Sequence, residues 1–335
     1  MDSQSSPFVP WRLSCAPMMD WTDRHCRYFH RLMTREALLY TEMVTAPALV
    51  RGRAMHLLDF NTEEHPVALQ LGGSDPAELA DAAVLGAERG YDEINLNVGC
   101  PSDRVQSGCF GAVLMERPAL VAECVAAMIA AQPVPVTVKC RIGVDDQDPE
   151  TVLPDFLTRI QDAGVERVTI HARKAWLQGL SPKENRDIPP LDYDLVHRMK
   201  AQFPKMHISI NGGIAALEQA AEQLIHVDGV MIGRAAYHQP WDIFGRADEV
   251  IFATNAPFAQ PQDVAVAMLP YIDAHLEAGG RLHQITRHML GLFAGRPGAR
   301  GWRRALSEGA SKEGAGSDLV LQALEPVTAG AHAAQ

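Results

Sequence analysis

Through the first two-thirds of the chain, short apolar runs alternate with longer stretches whose apolar residues recur at helical spacing. The short runs are Trp11–Ala16, Leu38–Val44, Val67–Leu71, Glu93–Val98, Val134–Arg141, Arg167–His171, His207–Asn211 and Gly229–Ile232. Their length predicts strands. Helical patterns fall between most of them, at Pro76–Arg89, Pro118–Ala131, Pro149–Ala163 and Ala215–Leu224. Asp75 stands where a helix cap belongs, with Pro76 at the first helical position. Eight strands alternating with helices predict a (β/α)8 TIM barrel. A doubly wound open sheet is the alternative, but no G-x-G-x-x-G follows the first strand. Most strand candidates also end in small or polar residues: Pro17-Met18-Met19, Gln70, Asn97-Val98-Gly99-Cys100, Lys139-Cys140-Arg141, His171-Ala172-Arg173, Asn211-Gly212-Gly213 and Gly233-Arg234. A barrel gathers all of those ends on one face.

After about residue 245 the strand pattern stops. Pro257–Pro261 reads as a linker, and helices are expected over Gln262–Glu277, Leu282–Phe293, Ala299–Leu306 and Asp318–Leu324. The predicted organisation is a barrel domain over 1–245 and a small all-α domain over 246–335. The Gly-, Ala- and Ser-rich stretch after Gly309 suggests a flexible tail.

Composition changes this picture in two places. The six cysteines contain no C-x-x-C pair, and Cys15 and Cys140 sit in apolar runs. That favours reduced thiols in a cytoplasm over a disulfide frame or a metal site. There is no apolar run long enough to span a membrane, and the first seven residues lack the basic start and apolar run of a secretory signal. The net charge is −11, which by itself argues against a nucleic-acid partner. Yet the window 281–304 holds Arg281, Arg287, Arg296, Arg300, Arg303 and Arg304 and no acid. A local basic stripe on an acidic chain calls for a local anionic partner.

The chemistry concentrates in Asn95-Leu96-Asn97-Val98-Gly99-Cys100-Pro101. A strand ending in Asn-x-Gly-Cys-Pro presents an amide and a thiol, with Gly99 and Pro101 fixing the turn. A thiol of ordinary pKa, about 8.5, is mostly protonated at neutral pH and can donate a proton as well as attack. Asn211-Gly212-Gly213 and Gly233-Arg234 follow the last two strands, where barrels recurrently bind phosphate; the helix expected from Ala215 would add its positive end. Alternation puts Lys139 and Arg141 on the same side of their strand. A strand lysine in an apolar run needs an anion, and with His171 it could hold a planar, electron-accepting cofactor such as a flavin. Gln70 offers amide hydrogen bonds to a heterocycle, and Pro17-Met18-Met19 could pack under its ring. Cys109, in the loop Ser107–Gly111, has no evident chemical role and reads as structural.

Together these motifs resemble the tRNA-dihydrouridine synthase family. The likeness runs from about Ala16 to Glu308 and is carried by Ala16-Pro17-Met18-Met19-Asp20, Leu69-Gln70-Leu71, the Asn95–Pro101 segment, Val138-Lys139, Ile170-His171-Ala172-Arg173, Asn211-Gly212-Gly213 and Gly233-Arg234. Leu180–Arg186 and Thr286–Leu292 most resemble the A subgroup. The resemblance implies FMN, reduced by NADPH, passing a hydride to C6 of a tRNA uracil while Cys100 protonates C5. It implies FMN contacts from Pro17, Met18, Met19, Gln70, Lys139, His171, Asn211, Gly213, Gly233 and Arg234, with Gly212 in the same loop. Asn97, Lys139, Arg141 and His171 would orient the base. For this subgroup it implies uridines 20 and 20a of the D-loop. Lys183, Arg186, Arg300 and Arg303 are the candidate tRNA contacts, with Trp302 packing between the last two. No metal and no membrane enter this expectation, and the expected state is a monomer. Two other readings compete: an FMN barrel acting on a free pyrimidine, as dihydroorotate dehydrogenases do, and an RNA-binding protein on a catalytically dead barrel.

Overall fold

The structure, a computed structural model, describes residues 10–102 and 109–332. Eight strands, β1 (Leu13–Cys15), β2 (Leu38–Thr45), β3 (Val67–Gly72), β4 (Glu93–Val98), β5 (Val136–Arg141), β6 (Arg167–His171), β7 (His207–Asn211) and β8 (Gly229–Ile232), close into a barrel in sequence order. Every neighbour pairs in parallel, and β8 returns to β1 through Leu13↔Val230 and Cys15↔Ile232. The helices of the barrel are α1 (Arg24–Arg31), α2 (Ala46–Val50), α3 (Pro76–Arg89), α4 (Pro118–Ala131), α5 (Pro149–Asp162), α6 (Tyr193–Gln202) and α7 (Leu217–Gln223). Three short helices follow β8: α8 (Arg234–His238), α9 (Pro240–Phe244) and α10 (Ala247–Phe252). Then come α11 (Pro261–Ala267), α12 (Leu269–Glu277), α13 (Leu282–Met289), α14 (Ala299–Gly309) and α15 (Asp318–His332).

The alternation on β4 shows how the sheet is built. Ile94, Leu96 and Val98 face outward into the core that the helices cover. Glu93, Asn95 and Asn97 alternate with them and face the barrel interior. Inside, a small apolar cluster of Ala16, Leu38, Tyr40, Ala68 and Met231 fills one side. The other side is filled by buried polar side chains of β3 to β7: Gln70, Asn95, Asn97, Thr137, Arg141, Thr169, His171, Ser209 and Asn211. Register sets these groups level, pairing Gln70 with Asn95, Asn97 with Lys139, and His171 with Asn211.

Local signals explain the helix bounds. The Asp75 carboxylate accepts from the Glu78 N–H at 2.9 Å, Pro76 opens α3, and Gly90 closes it at φ 97°. α1 escaped the hydrophobic pattern because, beside Cys26 and Phe29, its buried face is polar: His25, Arg27, His30 and Arg31 are all covered. Arg27 pairs with buried Glu64 at 2.5 Å, and Arg31 donates to the carbonyls of Thr34, Ala37, Glu64 and Pro66. α7 starts at Leu217, two residues later than expected, because Ala216 is extended.

The C-terminal third departs further from expectation. The single helix expected over Gln262–Glu277 is two, meeting at Met268. The composition after Gly309 argued for a flexible tail, yet α15 runs to His332 and buries Val320, Ala323, Leu324 and Val327. Close approach to α14 makes this possible. A Cβ at Gly298 would lie 2.5 Å from the Pro326 carbonyl oxygen, so only glycine permits the crossing. Trp302 is fully buried, donates from Nε1 to the Met289 carbonyl at 2.9 Å, and packs edge-on against Phe293.

The helices beyond β8 are joined to the barrel by polar and aromatic contacts. Asp23, which caps α1, bonds Arg287 at 2.6 Å and His288 at 3.0 Å. Tyr28 stacks on Tyr271 at 3.9 Å, and Trp21 on Tyr237 at 4.5 Å.

Candidate active site

The carboxyl ends of the strands bring most of the predicted residues to one face. At the end of β4, Asn97 is buried and its Oδ1 accepts from the backbone N–H groups of Gly99 at 3.1 Å and Cys100 at 2.9 Å. This fixes the turn that presents the half-buried Cys100 thiol, whose Sγ lies 3.5 Å from Ser102 Oγ. Cys109 is exposed, with a left-handed backbone at φ 57°. Of its loop, Ser107 and Gly108 lie outside the described residues.

Lys139 and Arg141 both point inward from β5, as alternation requires. Lys139 Nζ donates to Asn211 Oδ1 at 3.1 Å. Burial, and then the nearby Arg141 charge, push its pKa down to about 8. A cation so placed, with a neutral amide for its partner, suits an anionic or electron-rich ligand. Asn211 is held in turn, its Nδ2 donating to the Met231 carbonyl at 2.7 Å. His171 is buried beside these cations. Burial first, then Arg141 and Lys139, hold its pKa well below the ordinary value, so the imidazole is neutral at physiological pH.

Arg141 is engaged differently from what the sequence suggested. Its Nε donates to the Gly99 carbonyl at 3.2 Å, and Nη1 to the carbonyls of Lys174 at 3.2 Å and Asn185 at 3.0 Å. The side chain therefore ties the Cys100 turn to the loop after β6. Asn185, not singled out from sequence, latches that loop from within. Fully buried, it accepts from Trp176 N at 2.7 Å and donates to the Trp176 and Leu180 carbonyls. The loop thereby presents exposed Trp176, Lys183 and Arg186. An asparagine inside a mostly polar segment carries no sequence signal of burial.

The phosphate-loop candidates are strained in the way close approach demands. Gly212 and Gly213 have φ of 115° and 72°, and an added Cβ would meet His171 and Leu191 at 2.6 Å. Gly233 precedes α8, near Met18. Arg234, expected to contact a phosphate, is paired with Asp187 at 2.7 Å. Gln70 is buried beneath Asn97, bonded to it at 2.7 Å. Pro17 and Met18 are half-buried at the end of β1, and Met19 is 57% exposed. Lys183 and Arg186 are exposed on the loop after β6, and Arg300 and Arg303 are exposed on α14. Among the described residues no cluster of acids, histidines and cysteines could hold a metal, and no helix is long and apolar enough to cross a membrane.

Comparison with known proteins extends this. Residues 14–328 match the family model for dihydrouridine synthase (Dus). The chain is 60% identical over 314 residues to the tRNA-dihydrouridine(20/20a) synthase of Shewanella oneidensis, covering 94% of this chain and 93% of that protein. It is 58% identical over 322 residues to the protein of the same name from Escherichia coli K12, covering 95% and 93%. Among solved structures it is similar to the old yellow enzyme homologue from Zymomonas mobilis, with a TM-score of 0.52 and 13% identity over 71% of this chain and 88% of that one. That last likeness is one of fold.

Proposed function

The chain belongs to the dihydrouridine synthase family, and on that premise we propose that it uses FMN and NADPH to reduce the C5–C6 bond of uridines 20 and 20a in the tRNA D-loop. The observation that carries the reading is the Cys100 thiol, held by the Asn97 amide on the face where Lys139 and His171 converge. The relatives named above match this chain at 60% and 58% identity over 94% and 95% of its length.

The residues present fit a flavin mononucleotide. Lys139 is a desolvated cation bonded to a neutral amide, and Gly212 and Gly213 hold positive-φ backbone so close to His171 and Leu191 that only glycine fits, which keeps that loop bare of side chains. Pro17, Met18, Met19, Gln70, Lys139, His171, Asn211, Gly212, Gly213, Gly233 and Arg234 would hold the cofactor. Arg234 would reach its phosphate by leaving or sharing Asp187. When bound and reduced by NADPH, the flavin supplies the hydride that arrives at C6 of the uracil.

The chain's own residues do the rest. Cys100 delivers a proton to C5, where charge develops as C6 gains its hydride. Asn97 sets the direction of that thiol through the Cys100 N–H. Lys139 keeps a positive charge beside electron-rich groups. Neutral His171 contributes hydrogen bonding to the base. Arg141 acts by tying the Cys100 turn to the β6 loop, which leaves Nη2 as the nitrogen that would meet the uracil.

A uracil in folded RNA reaches this face only when turned out of its stack. Residues 246–335 form the tRNA-binding part of this reading. On α14, Arg300, Arg303 and Arg304 are exposed on one helix face, opposite buried Trp302 and Leu306. That face would take phosphates, with Lys183 and Arg186 gripping from the loop after β6. The reduced state of all six thiols suits a cytoplasmic enzyme.

The test is direct. Purified protein should carry flavin absorbance. With NADPH and tRNA lacking dihydrouridine, it should place the modified base at positions 20 and 20a. Failure to modify either position, or equally fast reduction of free uracil, would remove the tRNA reading.

A further inference from the structure

Inside the barrel, a file of hydrogen bonds runs from the floor to the Cys100 turn. At the floor Thr137 Oγ1 donates to Glu93 Oε1 at 2.6 Å, and Tyr40 Oη donates to the same oxygen. Asn95 Nδ2 donates to Thr137 Oγ1 at 2.8 Å. Gln70 Nε2 donates to Asn95 Oδ1 at 2.8 Å, and Asn97 Nδ2 to Gln70 Oε1 at 2.7 Å. Asn97 Oδ1 then accepts from Gly99 and Cys100. Glu93, Asn95, Gln70, Asn97 and Thr137 are all buried.

Each link has only one workable direction. A carboxylate only accepts, so the Thr137 hydroxyl must give its single proton to Glu93. Thr137 can then only accept from Asn95, which must turn its NH2 downward. That leaves the Asn95 oxygen for Gln70, and the Gln70 oxygen for Asn97. The Asn97 oxygen is left facing the turn. At the top the demand is the same, because backbone N–H groups only donate. The file is thus locked at both ends, by a carboxylate below and two amides above. Flipping any one of the three side-chain amides would set donor against donor or acceptor against acceptor in a dry interior, where an unmade hydrogen bond is costly.

We propose that Glu93 is a positioning residue: through Thr137, Asn95 and Gln70 it fixes the orientation of the Asn97 amide and so the turn that aims Cys100. Arg167, 3.5 Å from Glu93 Oε2, gives the carboxylate its counter-charge and decides which of its oxygens faces the file. With glutamine at position 93, Arg167 would favour the amide oxygen on its own side. The NH2 would then face Thr137 and press the file toward the reverse direction, which the turn cannot accept. The file stands on geometry alone; only its bearing on turnover rests on the function proposed above.

The experiment measures hydrogen exchange at the Gly99 and Cys100 backbone amides in the full-length protein as purified. Three variants are compared: Glu93→Gln, Thr137→Val and Tyr40→Phe. Thr137→Val cuts the file and keeps shape. Tyr40→Phe removes a donor to the same carboxylate but leaves the file whole, so it reports what lost burial chemistry does alone. Exchange at both amides should rise about tenfold in Glu93→Gln and Thr137→Val, the scale of one internal hydrogen bond. Tyr40→Phe should lower the melting temperature without moving either amide. If Glu93→Gln does not fold, Thr137→Val decides. Wild-type exchange in Thr137→Val, or equal loosening in Tyr40→Phe, would overturn the proposal. Exchange needs no turnover, so a failed file and a failed catalytic reading give separate results.

Discussion

Lys139 shows what the site costs the fold. Its pKa is pushed down to about 8 by burial, with Arg141 adding to the effect. The unfolded chain holds that proton to about pH 10.4. Between about pH 8 and pH 10.4 the unfolded state therefore binds more protons, and this group makes stability rise with pH. At pH 7 the charged lysine is a burden on flavin-free protein. Lys139→Met should stabilise that form by about 2 kcal/mol at pH 7, with the gain shrinking toward pH 10, and should lose flavin. Urea unfolding at the two pH values checks this, and a variant that is less stable at pH 7 yet keeps its flavin contradicts it. The residue chemistry was largely legible. Alternation alone put Lys139 and Arg141 on one side of their strand, and the Asn-x-Gly-Cys-Pro motif marked the turn. What Arg141 bonds was not legible, because its partners are backbone carbonyls of two segments, the Cys100 turn and the loop after β6, and carbonyls leave no mark in sequence. Arg234 was read as a phosphate contact; its pairing with Asp187 was not legible, because Asp187 lies far from it in the chain.

At the scale of elements, strands and helices with apolar faces were read to the residue, as β4, β6, β7, α3 and α4 show. α1 was missed because, beside Cys26 and Phe29, its buried face consists of the polar His25, Arg27, His30 and Arg31. The cap of that helix makes the junction with α13. Asp23 accepts from His25 N and Cys26 N and also bonds Arg287 and His288. Burial alone would raise its pKa, but the bonds and charges of His288, Cys26 N–H and Arg287 outweigh this and hold it well below the carboxylate range. A carboxylate with a depressed pKa contributes stability that is fully present above its unfolded value, about 3.9, and is lost as pH falls through the folded one. Asp23→Asn should cost about 2 kcal/mol at pH 7, from the lost charge-assisted bonds. Below about pH 4 the gap to wild type should begin to narrow. Parallel urea titrations at pH 7 and pH 3 measure this, and a gap unchanged between them would contradict the junction as described.

The whole molecule sets an acidic chain around a cationic face. The net charge of −11 misdirects as a single number, because Lys139, Arg141, Arg173 and Arg186 gather near the Cys100 turn, and Arg300, Arg303 and Arg304 share one side of α14. The barrel was legible from eight apolar runs and their polar ends. The close packing of α14 on α15 was not, because the apolar stripe Val320, Ala323, Leu324 and Val327 is joined by an approach of Pro326 to the glycines at 298 and 301 that leaves no mark in the sequence. If this face reduces a tRNA uracil, Cys100 is the group placed to give C5 its proton. The most direct measurement reduces the purified flavoprotein with NADPH without oxygen, then follows reoxidation of the flavin on mixing with tRNA. Cys100→Ala should keep its flavin, its reduction by NADPH and its tRNA affinity. Its reoxidation should slow by about 10² to 10⁴-fold, the usual worth of a general acid, while Cys109→Ala stays near wild type. Reoxidation of Cys100→Ala at the wild-type rate, with Cys109→Ala slowed instead, would contradict the account.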